Sequence, residues 1–150
     1  MEKLTKKKNE NPEKDASRID DNIRAIKAYM SYYKNNSFKV LTTPKPVYSF
    51  DQMEVRATPD LYVEEAGVKK LIKLDFNQKK PERQAIDIIL KVMYEAAFKE
   101  QLGVSPKHAV YLDVSRQEQY NGAKLNKKLK KDIDAALATI QDMWANIKQT

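Results

Sequence analysis

The sequence predicts an α/β domain, a small mixed sheet flanked by helices with a long helix at the C-terminal end. Three observations carry that reading. Residues 53–77 alternate apolar and polar on either side of Glu65-Ala66-Gly67, as two strands of a hairpin do. Residues 81–102 are apolar on most sides, the pattern of a helix sandwiched between layers. Residues 124–148 place an apolar side chain every three or four positions.

The elements follow in order. Residues 1–10 have no periodic pattern and are expected to form a disordered basic tail, leaving 11–150 as one domain. Asn11-Pro12 reads as a helix start, because proline suits the first helical position and Glu13 and Asp15 suit the first turn. Ile19, Ile23, Ile26, Met30 and Tyr33 give that helix its apolar stripe, to about Lys34. Asn35-Asn36 is a reasonable stop. Residues 37–46, with Pro44 and Pro46, read as a connection. A short strand at Val47–Phe50 turns at Asp51-Gln52 into a long strand from Met53 to Glu64. Pro59 argues against full pairing at that point, because proline has no N–H to give a ladder. Gly67 supplies the positive φ that a tight hairpin needs.

A second strand runs to about Asn77, and Pro81 opens the buried helix, which Gly103 ends. Asp87, Lys91, Glu95 and Lys99 alternate in sign at spacings of four along its narrow polar stripe. Ala109–Ser115 reads as a strand and residues 116–123 as a loop. The last helix carries Leu125, Leu129, Ile133, Leu137, Ile140, Trp144 and Ile147 on one stripe. That spacing suits a sheet, a second helix or a dimer seam, and a core role is expected for Trp144, Tyr29, Tyr33 and Tyr94.

Composition bounds the function. The chain has 150 residues, enough for one domain, and no cysteine. Disulfides, thiolate metal sites and a cysteine nucleophile are therefore excluded, and the single histidine, His108, excludes multi-histidine sites. No apolar run reaches the roughly 20 residues of a membrane span, and the polar start MEKLTKKKNENPEK lacks a secretory core, so a cytoplasmic location is the expectation. The net charge is +7, with 28 basic and 21 acidic residues. That balance reads either as affinity for a polyanion such as nucleic acid or as a lysine-rich wet surface. Two basic clusters stand out, one at Lys69, Lys70, Lys73, Lys79, Lys80 and Arg83, the other at Lys124, Lys127, Lys128, Lys130 and Lys131.

The candidate site lies in the hairpin. If Val55, Ala57, Leu61 and Val63 share one apolar sheet face with Val68, Ile72, Leu74 and Phe76, then Asp60 and Asp75 share the other. Carboxylates on neighbouring strands are a plausible seat for a divalent cation. Tyr62 has the parity of Asp60 and is open to stacking on a base or to packing.

The residues Pro59-Asp60, Leu74-Asp75-Phe76-Asn77 and Gln84 resemble the three motif elements of the PD-(D/E)XK nuclease superfamily, especially its RecB-like branch. The resemblance covers about residues 47–115. It implies a restriction-endonuclease-like αβββαβ core and a metal-dependent phosphodiesterase acting on DNA. Asp60 and Asp75 would then hold Mg²⁺ or Mn²⁺, with Gln84 as the helix residue of the site. The motif lysine is replaced by Asn77, a neutral amide. Lys79 or Lys73 has the parity to substitute, and Lys79 is the better placed. Lys73, Lys80 and Arg83 are the candidate phosphate contacts. Two more positions depart from the pattern: Ile88 stands where the branch often has tyrosine, and no local motif selects Asp20 or Asp21 as a first-helix acid. The implied functions are a DNA nuclease with a degenerate site or an inactive nuclease-fold module that binds nucleic acid or a protein partner.

Overall fold

The computed structural model describes residues 12–148. Helix α1 (Pro12–Asn35) is followed by β1 (Lys39–Val40), β2 (Val47–Phe50), β3 (Met53–Arg56), β4 (Leu61–Glu65) and β5 (Val68–Asp75). Then come α2 (Arg83–Lys99), a 3₁₀ turn at Pro106–His108, β6 (Ala109–Asp113), β7 (Glu118–Asn121) and α3 (Lys128–Lys148). The fold is mixed α/β with a five-stranded sheet in the order β1-β4-β5-β6-β7 and a separate hairpin of β2 and β3. β5 and β6 are parallel, joined through α2, and the other pairs are antiparallel. The tail expected over residues 1–10 lies outside the described residues. Among those described, no helix is long and apolar enough to cross a membrane.

The β4–β5 hairpin turns on Ala66 (φ 50°) and Gly67 (φ 78°). Two consecutive positive φ values match the right-handed twist of the flanking strands, and glycine meets the second at no steric cost. The long strand expected from Met53 to Glu64 is instead two. Pro59, fully buried, cannot donate to a ladder, so the chain leaves the small hairpin and enters the large sheet across residues 57–60. Two short strands were not foreseen. β1 lies in the expected connection at 37–46, and β7 lies in the expected loop at 116–123.

Both faces of the large sheet are covered, which corrects the picture of one apolar and one polar face. On one side, Val63, Ile72, Val110, Leu112 and Val114 pack against Tyr32, Tyr29 and Ala28 of α1. On the other, Tyr62, Leu71, Ala109 and Tyr111 pack against Ile86, Leu90, Met93 and Ala97 of α2. α2 is covered again on its outer side, where Ala96 meets Tyr48, Ala57, Ile133 and Leu137 of the small hairpin and α3. Each fully buried Leu or Ile in these clusters contributes about 2 kcal/mol. Tyr62 belongs to the α2 core, its hydroxyl donating to the Leu102 carbonyl at 3.1 Å, so it packs rather than offering a base-stacking face.

The two outer helices differ from expectation in orientation. α1 turns Ala25, Ala28, Tyr29 and Tyr32 to the sheet, and the stripe from Ile19 to Tyr33 faces outward. Alanines let the helix approach while two tyrosines reach across, and the larger apolar stripe stays about half exposed among the described residues. On α3, Ile133 and Leu137 are buried, whereas Ile140, Met143 and Trp144 are exposed.

Candidate functional site

Asp60 follows Pro59 and directly precedes β4. The β4–β5 ladder closes at Leu61↔Ile72, and its last bond runs from the Asp60 N–H to the Ile72 carbonyl at 2.9 Å. Two residues on, the Leu74 N–H points the same way and finds no backbone acceptor on β4. The Asp60 carboxylate fills that gap, with Oδ2 accepting from Leu74 N at 2.7 Å. The Lys73 ammonium sits against the same carboxylate, 3.2 Å from Oδ1 and 3.1 Å from Oδ2. Asp60 thus sits at the start of β4 and neutralises a cross-strand lysine.

Asp75 ends β5 and is buried. Its Oδ1 accepts from the backbone N–H of Asn77 at 2.9 Å and from Asn77 Nδ2 at 2.6 Å. Its Oδ2 accepts from the Tyr111 hydroxyl at 2.6 Å. Burial, then the bond to Asp75 and the nearby carboxylate charges, hold the Tyr111 phenol well above the usual phenol range. Tyr111 therefore stays a donor at every physiological pH. Asp113 is the parallel register partner of Asp75 and is fully buried. Two acids side by side repel unless offset. Arg116 supplies the offset: its Nη1 is 3.0 Å from Asp113 Oδ2, its backbone N–H reaches Oδ1 at 3.2 Å, and its Nη2 donates to the Gln78 carbonyl.

Beside Asp75 opens a cleft of about 400 Å³ at the C-terminal ends of the parallel strands. Asn77, Gln78, Lys79, Lys80, Glu82 and Tyr111 line it with Asp75, and Ala85 is the α2 residue that reaches it. This is the end of a parallel βαβ unit where ligands ordinarily bind. The first turn of α2 borders it, and Glu82 at its N-cap makes no side-chain cap bond. Lys79 is exposed and has no ion-pair partner among the described residues. Lys80 lies 3.6 Å from Glu118, and Arg83 pairs with Asp87 at 2.9 Å and covers the Tyr120 ring at 5.2 Å. The Tyr120 hydroxyl and Lys80 in turn hold the Glu118 carboxyl below its usual range.

The sequence-predicted residues are thus partly assembled. Asp60, Lys73 and Asp75 share the α2 face of the sheet, as their strand parity required. Asn77 is bonded to Asp75, and Lys79 and Lys80 line the cleft. Gln84 does not join them. It is exposed and lines a groove between α2 and α3 with Leu129 and Ile133, while Ala85 is the helix residue that faces Asp75. Sequence reasoning missed Tyr111, Asp113 and Arg116. An acid inside the otherwise apolar run AVYLDV was the available sign for Asp113.

The donor set fits a hexacoordinate Mg²⁺ poorly. Such an ion needs six oxygens at about 2.1 Å. Both oxygens of Asp60 and both of Asp75 already accept from protein donors, one of them a lysine ammonium. Among the described residues, no three or more His, Cys, Asp or Glu side chains gather as a metal-binding group. Lys73 offsets the charge of Asp60 and Arg116 that of Asp113, whereas Asp75 is held by neutral donors. No protein-family model matches the chain, and neither does any curated protein or solved structure.

Proposed function

We propose that this chain is a PD-(D/E)XK-type domain that binds a nucleic-acid backbone, DNA in the first instance, without cutting it. One observation carries the reading. The two motif acids are engaged by the protein itself, and Asn77 gives Asp75 a neutral amide where the superfamily has a lysine. The cleft beside them offers a phosphate the exposed Lys79 ammonium, Lys80, the Gln78 amide and a helix start without a side-chain cap, set against the carboxylates of Asp75 and Glu82. The net charge of +7 favours the approach of a polyanion.

Fluorescence anisotropy with labelled single- and double-stranded DNA across a salt series tests this. The expected result is binding that weakens with salt, by a slope of about 0.9 per phosphate contact on duplex. Lys79→Glu should weaken it about tenfold, and the strands should stay intact after incubation with Mg²⁺ or Mn²⁺. Binding unchanged in Lys79→Glu would remove the cleft from the account.

A second reading, a Mg²⁺- or Mn²⁺-dependent DNA nuclease with Lys79 as the displaced lysine, is favoured by the shared face of Asp60 and Asp75 on adjacent strands. Cleavage by the wild type with either metal, lost in Asp75→Ala and in Lys79→Ala, would favour this reading. Cleavage gained only in Asn77→Lys would show an intact nuclease frame that does not cut as it stands.

A further inference from the structure

We propose that the outer face of α1 pairs with the same face of a second copy of this chain, with the two helices antiparallel. The face is large and apolar. Ile19 is 58% exposed, Ile23 45%, Ile26 58%, Met30 50% and Tyr33 45%. Their spacing of four, three, four and three is that of a coiled-coil seam, in which alternate knobs meet a facing helix. The inner face of the helix is already spent on the sheet, through Ala25, Ala28, Tyr29 and Tyr32. The stripe is therefore a second apolar face, separate from the one that folds the domain.

Size is consistent with self-association. Five side chains about half exposed leave on the order of 500 Å² per copy, so a pair buries about 1,000 Å² in total, where specific interfaces begin. A patch of about 500 Å² is the size of the largest on a typical monomer, and such patches are often binding surfaces.

Charge selects both the partner and its direction. Asp20 and Lys34 flank the two ends of the seam on the same side, are exposed, and have no ion-pair partner among the described residues. An antiparallel pair with its two-fold axis level with residue 27 sets Asp20 of each copy beside Lys34 of the other, forming two ion pairs by symmetry. Lys27 lies on the axis opposite Lys27 of the other copy, and its long stem lets the two ammonium groups diverge into water. A parallel pair would set Lys27 by Asn22 and Lys34 by Tyr29, with no charge pair. The ring of Tyr33 is steadied against Phe38 at 5.4 Å, so the far end of the seam is preorganised.

Sedimentation velocity of the full chain across micromolar concentrations tests the proposal, with circular dichroism as a check on folding. The expected result is a concentration-dependent dimer. Ile26→Glu should raise its dissociation constant about 100-fold, as loss of a central apolar anchor does. Ile23→Glu is an independent second break. Lys34→Glu should weaken the dimer about fivefold through two exposed ion pairs, and adding Asp20→Lys should restore it. A chain that stays monomeric at high micromolar concentration overturns the proposal. So does a dimer that survives Ile26→Glu and Ile23→Glu but dissociates with Trp144→Ala on α3. Failure of the charge-reversed pair to recover overturns the antiparallel arrangement.

Discussion

The two helices that cover the large sheet make an instructive pair. α2 is pinned from both sides: Leu90 and Ile86 are buried in the sheet core, and Ala96 is buried under the small hairpin and α3. α1 touches the sheet with alanines and tyrosines and leaves its isoleucines outside. Both segments have helical apolar periodicity in the sequence. Periodicity reports that a helix has an apolar face; it does not say what covers that face. A helix apolar on most sides must be enclosed, because too little polar surface remains to meet water. A helix with one stripe plus interspersed alanine and tyrosine has two faces to choose between, and packing decides.

Stability measurements can break or sharpen that contrast. The largest effect should come from Leu90→Ala, which opens a cavity in a fully buried position of α2. It is expected to cost about 3 kcal/mol, read from the midpoint of denaturant unfolding. Tyr111→Phe keeps the packing but takes the donor from a buried carboxylate, for an expected loss of about 2 kcal/mol. Titrating stability from pH 6 to 9 in that variant and wild type should give parallel curves, because the Tyr111 phenol stays protonated throughout.

Tyr48 gives a smaller and pH-dependent effect on the same side of the sheet. Its hydroxyl bonds to Asp134 of α3, and burial first, then that bond, push the phenol up to about 12. The folded value lies above the ordinary phenol value of 10.0. The stabilising contribution is therefore complete below pH 10 and is lost as pH rises toward 12. Tyr48→Phe should remove that alkaline decline from a plot of unfolding free energy against pH. An unchanged slope between those values would mean the α3 tie contributes nothing. The smallest effect should come from α1: Ile26→Ala, measured where the chain is monomeric, should shift stability by no more than about 0.5 kcal/mol. A loss as large as that of Leu90→Ala would show that the stripe is core after all.

Much of the fold was legible, and the reasons are local. Pro12 marked the start of α1, and Gly67 marked the hairpin. Pro59 was read correctly as an obstacle to pairing, yet its consequence, a change of sheet, depends on where β1 takes the edge beside β4. β1 and β7 escaped notice because two-residue and polar four-residue strands carry no alternation to detect. Within the candidate site, strand parity brought Asp60, Lys73 and Asp75 to one face. It could not give the orientation of the carboxylates, which follows from donors on other elements. Leu74 N–H donates to the Asp60 carboxylate beyond the end of the β4 ladder, and Tyr111 reaches Asp75 from the next strand. Gln84 and Ala85 are adjacent in sequence but a helical step apart in direction, and only packing of α2 on the sheet decides which faces the cleft.

The account rests on acids that the protein has already partnered, and a Mn²⁺ titration followed by electron paramagnetic resonance addresses that most directly. Wild type and Asp75→Ala should give the same trace, with no site tighter than about 1 mM. A micromolar Mn²⁺ site in wild type that vanishes in Asp75→Ala would contradict it.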